Sequence, residues 1–278
     1  MDNGTLYHLA AFADGDAGGN PAGVWIGDEL PDAATMQQIA ADVGASETAF
    51  IAPSAGARRT IRYFSPEIEV SFCGHATIAT AVTLGQNDGE GTYTLDTQVG
   101  EVQVTAETRD GAMAASLRSV ATRQEPIPRA LLAEALACLD WSGDDLDAAL
   151  PPTRAWAGAW PYVIAVADIA TLGRLHYDFE ALKALMQREN LTTLQLVWRE
   201  HEGRFHARNP FPVGGVIEDP ATGAAAAALG GYLRDAGLVA TPCEFEILQG
   251  ASMGMPSRIF VNVPGEGGII VRGTARSI

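Results

Sequence analysis

The chain alternates short apolar runs with glycine- and proline-bearing breaks. Leu6 to Phe12 is a compact apolar run and reads as a strand. A glycine-rich turn, Gly15 to Gly19, leads through Asn20-Pro21 to a second strand, Gly23 to Ile26. Pro31 and Asp32 start a helix in which Met36, Ile39, Ala40 and Val43 recur at helical spacing, and Gly44 supplies the stop. Thr48 to Ala52 reads as a strand that begins straight after Ser46-Glu47. Thr60 to Phe64 and Thr92 to Thr108 alternate as strands do, the latter as a hairpin turning near Gly100.

The middle, Ser119 to Arg154, is bordered by proline and holds a helical stretch, Pro128 to Leu139. A domain boundary is expected near Leu117 to Glu125. Beyond it come a strand from Trp160 to Ala167, a helix from Asp178 to Gln187 capped by Asp178, and strands at Leu194 to Trp198, Phe245 to Leu248, Ile259 to Val263 and Ile269 to Arg272. The expected division is an N-terminal domain over 1–118, which a C-terminal strand within 265–278 rejoins, and a C-terminal domain over 119–264.

Two segments resemble each other. Arg62-Tyr63-Phe64-Ser65-Pro66 is followed, after a spacer, by Cys73-Gly74-His75-Ala76-Thr77 and small residues up to Val82. Arg208-Asn209-Pro210-Phe211-Pro212 is followed by Asp219-Pro220-Ala221-Thr222-Gly223 and alanines from Ala224 to Ala228. This spacing suggests duplication. A helix with small apolar residues on all sides lacks the charged face of a surface helix, so it must be buried, with its surroundings close to its axis. The expected fold is therefore α+β: two pseudo-symmetric domains, each a curved mixed β-sheet wrapped around a central helix. Each helix N-terminus offers free backbone N–H groups and a positive dipole end, a setting for a carboxylate. A small acidic metabolite held between the halves is the ligand expected from this arrangement.

Composition narrows the class. Hydrophobic residues make up 47% and charged residues 19%, enough for a core. The net charge is −16, and Lys183 is the only lysine. Such a chain repels polyanions, so neither nucleic acid nor an anionic membrane surface is an expected partner. No apolar run approaches the length of about 18 residues needed for a membrane helix. The opening Met1-Asp2-Asn3-Gly4-Thr5 has no secretory-signal pattern. Cys73, Cys138 and Cys243 are too few and too widely spaced for a disulfide framework, so a reduced, cytoplasmic setting is expected.

Four residues could carry chemistry. Glu47 reads either as a general base in a cleft or as a solvated loop acid. Asp219 reads as a helix cap or as an acid facing a ligand at that helix start. His75, at the start of the first small-residue helix, reads as a structural group or as a neutral imidazole contacting substrate. Cys73 reads as a buried small hydrophobe or as a thiolate favoured by the helix end. The glycines from Gly15 to Gly23 match neither a P-loop nor a dinucleotide fingerprint. No serine sits in a Gly-x-Ser-x-Gly elbow. His201, Glu202 and His206 do not form a helical zinc motif, so no metal is expected. The pair Trp156 and Trp160 reads as packing.

Phe12, Gly19-Asn20-Pro21-Ala22-Gly23-Val24, Ser46-Glu47-Thr48-Ala49-Phe50, Arg62-Tyr63-Phe64-Ser65-Pro66, Cys73-Gly74-His75-Ala76-Thr77, Glu218-Asp219-Pro220-Ala221-Thr222-Gly223 and Gln249-Gly250 ahead of Pro256-Ser257-Arg258 occur in order. Together they resemble the phenazine-biosynthesis PhzF-like family of the diaminopimelate epimerase-like superfamily. The resemblance runs nearly end to end and thins over Ala121 to Arg204. It implies the two-domain fold just inferred, a cofactor-independent isomerase, and a homodimer. It places Glu47 as the glutamate that moves a proton within a cyclic amino acid, with His75 contacting substrate and Asp219 as the aspartate. Asn20, Gly74, Thr222, Gly223 and Ala224 are the substrate-binding candidates.

Two positions depart from the family pattern: Ala224 stands where a serine contacts substrate, and Met255 where an arginine is common. They leave the substrate open. Proton removal from carbon without a cofactor needs a base of raised pKa and an acceptor for developing charge, which interdomain burial and the helix-start amides would supply. Cys73 matches the first of the two facing cysteines of the related epimerases, while Asp219-Pro220 occupies the place of the second. A thiol-dependent racemase using Cys73 and a small-acid binding protein without turnover are the alternatives.

Overall fold

The computed structural model describes residues 4–278; Met1 to Asn3, which open the segment read for a secretory signal, lie outside the described residues. The chain divides into two compact units, one running to Arg118 and including Arg272–Ile278, the other spanning Ser119–Val271.

In the first unit, β1 (Gly4–Ala11) and β2 (Asn20–Gly27) form an antiparallel hairpin. Helix α1 (Ala33–Val43) follows, capped by the Asp32 carboxylate, which accepts from the Thr35 amide at 3.0 Å. It ends where Gly44 turns left-handed (φ 67°), and that turn releases the chain straight into β3 (Glu47–Pro53), parallel to β2. Next come β4 (Arg58–Phe64), the two-residue β5 (Glu69–Val70), helix α2 (Gly74–Asp88), and the meander β6 (Gly91–Thr97), β7 (Gly100–Arg109) and β8 (Ala112–Arg118). The β6–β7 turn sits at Gln98-Val99, with Thr97 opposite Gly100. The last strand of the chain, β16 (Ile270–Ser277), pairs with β8 and also with β1, so β1, β2, β3, β4, β6, β7, β8 and β16 close into an eight-stranded barrel.

Helix α2 packs against β1, β2, β3, β7 and β8, inside this barrel. Its residues from His75 to Gly85 are all buried. The small side chains are what permit this: a Cβ at Gly85 would come within 2.7 Å of Ala106 Cβ and of Met113 Sδ. The three buried threonines meet the cost of polar burial within the helix itself. Thr77, Thr80 and Thr83 donate their hydroxyls to the carbonyls of Cys73, Ala76 and Ala79 at 2.6, 2.7 and 2.9 Å. Outside the barrel, α1 lays Met36 and Ala40 on Trp25, Phe50 and Phe64.

The second unit repeats the pattern. Strand β9 (Arg123–Pro126), helix α3 (Arg129–Cys138), β10 (Thr153–Trp156) and β11 (Pro161–Val166) come first. Helices α4 (Ile169–Gly173) and α5 (Phe179–Arg188), the latter capped by Asp178, lead to β12 (Thr193–His201), which is parallel to β11. Then follow β13 (Arg204–Arg208), helix α6 (Gly223–Asp235), β14 (Cys243–Gln249) parallel to β13, and β15 (Ser257–Val263). The order is β15-β14-β13-β12-β11-β10-β9.

In both units an antiparallel hairpin leads through outer helices to a parallel strand. An antiparallel strand follows, and the small-residue helix then crosses to a second parallel strand. Helix α6 is buried from Ala225 to Leu233 and packs on β9, β10, β11, β12 and β15. A Cβ at Gly231 would come within 2.5 Å of Thr122. Helices α3, α4 and α5 cover the other face through Leu136, Leu172, Leu182, Leu185 and Met186, joined by Trp141 just after α3.

The architecture is the α+β fold expected: two like units, each a curved mixed sheet around a buried helix. The second unit of contact runs to Val271, where the sequence had suggested 264. Trp156 and Trp160 pack together with ring centroids 5.2 Å apart, and the Arg123 guanidinium lies 5.1 Å over Trp156 while that of Arg154 lies 4.4 Å over Trp160. Among the described residues no helix is long and apolar enough to cross a membrane.

Candidate active site

Two chain reversals place one cluster in the first unit. The stop at Gly44 puts Glu47 on the first position of β3, opposite Ala22 of β2 and hence next to the start of that strand, where Asn20 is buried. The segment after β5 brings Cys73 to the N-cap of α2 and His75 into its first turn. Cys73 donates its S–H to Glu47 Oε2 at 3.4 Å, and its Sγ lies 3.3 Å from His75 Nδ1. His75 Nε2 lies 3.4 Å from the same Glu47 oxygen and 3.2 Å from Ser46 Oγ. The imidazole is almost buried, with a side-chain exposure of 9%, and the Glu47 side chain is 22% exposed. A Cβ at Gly74 would meet nothing within 4 Å, so the backbone at the start of α2 faces open space.

The cluster therefore has a carboxylate on a partly exposed side chain, a thiol and an imidazole around the positive end of a buried helix. A carboxylate there can exchange a proton with a ligand. The first-turn amides and the helix dipole can hold negative charge on the ligand. Cys73 is a buried thiol in contact with both other groups.

The second unit places Asp219, Thr222, Gly223 and Ala224 at the equivalent start of α6. Asp219 is not the helix cap. Thr222 holds the N-cap position without a side-chain cap, and its hydroxyl donates to Asp219 Oδ2 at 2.5 Å. The Asp219 amide donates to Asn209 O at 3.0 Å. Gln249, at the end of β14, fixes the turn from the other side. Its Nε2 donates to Asp219 O at 2.7 Å and to Thr222 Oγ1 at 3.1 Å, and its Oε1 accepts from the Thr222 amide at 3.4 Å.

Gly250 must be glycine. It has φ 77°, and a Cβ there would come within 2.3 Å of Met255 O and 2.7 Å of Pro220 O. Met255 enters this turn through its backbone, its amide donating to Gly250 O at 3.1 Å, so a methionine side chain leaves the turn intact. Ala224, in the first turn of α6, is half-buried.

The sequence reading did not anticipate the roles of Ser46 and Gln249. Ser46 stood beside Glu47 in its motif, and Gln249-Gly250 stood as a motif without a partner. Only the fold shows that they hold His75 and the Asp219 turn. The repeated arginines also gain a reason. Arg62 makes a bidentate pair with Glu69, 2.6 and 2.7 Å, and Arg208 pairs with the buried Glu218. Each ties the strand before a buried helix to the segment leading into that helix. Arg62 holds the Glu69 carboxyl below its ordinary range. His206 of β13 pairs with Glu200 of the neighbouring β12 at 2.8 Å.

The first unit is thus a closed barrel around a buried small-residue helix, with Glu47, Cys73 and His75 gathered at the start of that helix. The model of the phenazine biosynthesis-like protein family, PhzC-PhzF, matches residues 9–276, and the chain belongs to that family. The trans-2,3-dihydro-3-hydroxyanthranilate isomerase of Pseudomonas chlororaphis is 31% identical over 266 residues, covering 95% of this chain and 92% of the relative. An uncharacterized isomerase of Mesorhizobium japonicum is 32% identical over 281 residues, 96% of this chain and 92% of the relative.

Among solved structures, the phenazine biosynthesis protein of the PhzF family from Bacillus anthracis superposes with a TM-score of 0.86 at 25% identity, covering 98% of this chain and 96% of that one. A hydroxyproline epimerase from Agrobacterium vitis shares the fold, with a TM-score of 0.66 at 13% identity over 99% of this chain and 90% of that one. The named relatives are isomerases, and the chain is an enzyme of that class.

Proposed function

We propose that this isomerase moves a proton, without a cofactor, on a small cyclic or unsaturated amino or hydroxy acid, with Glu47 as the general acid and base. The observation that carries the reading is the partly exposed Glu47 side chain, whose carboxylate is held 3.4 Å from His75 Nε2 at the start of buried helix α2. The carboxylate removes a proton from one substrate carbon. The electron pair left behind spreads into the adjoining unsaturated system. Amides in the first turn of α2, from Gly74 and His75, stabilise that charge. Glu47 then returns its proton to a second carbon, so the product is an isomer and Glu47 is regenerated.

Ser46 on one side and Cys73 on the other fix the His75 ring, which orients the carboxylate. The name of the Pseudomonas chlororaphis relative makes trans-2,3-dihydro-3-hydroxyanthranilate the first compound to try. Asp219 is assigned to substrate binding or proton shuttling, and Asn20, Thr222, Gly223 and Ala224 to substrate contact. A homodimer belongs to the same reading, and sedimentation equilibrium checks it.

The experiment is deuterium incorporation from D2O into a panel of cyclic and acyclic amino and hydroxy acids, read by mass. Wild-type protein is expected to exchange at least one compound, and Glu47→Gln to lose about 10²-fold or more in rate. Full exchange in Glu47→Gln overturns the assignment. One contact favours a second reading: the Cys73 thiol touches the Glu47 carboxylate, which suits a thiol base as well. Cys73→Ala separates them, because a thiol mechanism loses exchange in that variant and a Glu47 mechanism keeps most of it.

A further inference from the structure

We infer that Glu47, Cys73 and His75 form a binding site for a thiophilic divalent cation of the zinc class, and that its occupancy silences the enzyme. The inference rests on the reading of Glu47 as the proton-moving group only for its second half; the binding stands on geometry alone.

One ligand atom from each residue can be taken: Glu47 Oε2, Cys73 Sγ and His75 Nε2, all three within 4.8 Å of one another. The sides of that triangle are 3.4 Å for oxygen to sulfur, 3.4 Å for nitrogen to oxygen and 3.9 Å for sulfur to nitrogen. Zinc bonds of about 2.3 Å to sulfur and about 2.0–2.1 Å to nitrogen and oxygen, at tetrahedral angles, imply ligand separations of about 3.3–3.6 Å. Two sides already meet that figure; on the third, Sγ lies nearer Nδ1 (3.3 Å) than Nε2 (3.9 Å), so the imidazole must turn to aim one ring nitrogen and the sulfur at a shared cation. The soft thiolate and borderline imidazole beside the hard carboxylate favour zinc over magnesium or calcium. Three protein ligands leave a fourth position for water, the pattern of exchangeable rather than closed structural sites.

Coordination forms the metal–sulfur bond and releases the thiol proton to solvent, so no oxidant or reductant is involved, and binding tightens as pH rises. The cation takes the Glu47 oxygen that would otherwise accept the substrate proton. It also draws on the imidazole nitrogen that Ser46 and Glu47 share.

The probe is cobalt(II) alone, added to metal-free protein. A thiolate-to-cobalt charge-transfer band in the near ultraviolet is expected, with zinc displacing it. Cys73→Ser should abolish the band, and both Cys73→Ser and His75→Gln should weaken zinc binding by at least about tenfold in a competition against a chromophoric chelator. Cys243→Ser, remote in sequence and outside the cluster, should bind as wild type. Absence of the band, or equal zinc affinity in wild type and Cys73→Ser, overturns the site.

The second half is read separately, as zinc-dependent loss of deuterium exchange reversed by chelator. Band and zinc binding without any exchange would leave the site standing and remove the proposed function. Exchange that zinc does not reduce, while the band is present, would overturn the silencing.

Discussion

Glu47 is a single carboxylate with a thiol and an imidazole on one of its oxygens, on a side chain that is about one-fifth exposed (22%). Its type and its neighbours in the chain were legible from the sequence: a carboxylate between a helix stop and a strand, and a histidine at a helix of small residues. What could not be read was the closeness of the three groups, because Cys73 and His75 reach Glu47 across a gap in sequence that only the packing of α2 against β3 removes. The reading of Asp219 as a cap failed for a similar reason. The Asp219 carboxylate meets the Thr222 hydroxyl, and the cap position passes to Thr222.

Glu47→Gln keeps the shape and the hydrogen-bonding capacity while removing the base, so its loss of exchange should come without a loss of melting temperature, which thermal unfolding would confirm. Gly250→Ala is the opposite case. It carries no chemistry, yet it forces a left-handed φ on alanine and drives a Cβ into two carbonyl oxygens. A loss of at least about 2 kcal/mol is expected from denaturant unfolding.

Helices α2 and α6 were the most legible elements, because a run of small residues with no charged face admits one explanation, burial in a tight enclosure. Caps made α1 and α5 readable as well: Asp32 and Asp178 accept from Thr35 and Ala181 at 3.0 Å each. The short strands β5, β9, β10 and β13, together with β8 and helix α4, went unread. Strand β9, Arg123–Pro126, is exposed at all four positions and takes its structure from pairing with β10, so no apolar alternation marks it. The tightness of α2 can be tested at Ala79, which is fully buried inside the barrel. Ala79→Leu inserts side-chain volume where there is none to spare, and a destabilisation of about 1–3 kcal/mol or more is expected by urea unfolding. Val at Thr80 should cost far less, since that hydroxyl is satisfied only within its own helix.

At the scale of the molecule, the duplication seen in two sequence segments proved to extend through the order and sense of the strands, which no local pattern encodes. Each unit ties its buried helix down with an arginine–glutamate pair, and buried tyrosines add a response to alkali. Tyr232, on α6, donates to Pro151 O at 2.8 Å, and burial pushes its phenol up to about 12. A phenol whose folded pKa exceeds its unfolded value of about 10 keeps its full contribution below pH ~10. That contribution is lost progressively as pH rises towards 12. Tyr232→Phe should therefore flatten the fall in stability across that window, measured by urea unfolding at stepped pH.

One further consequence concerns the order of events during synthesis. The barrel around α2 lacks a stave until β16 has left the ribosome, since Leu9 and Ala11 of the first strand are partnered by Ser277 and Ala275 of the last. In the second unit, strands β9 to β15 are all in hand by Val263. A nascent chain halted before β16 would thus carry strands β9 to β15 in full beside a first unit whose barrel is still open.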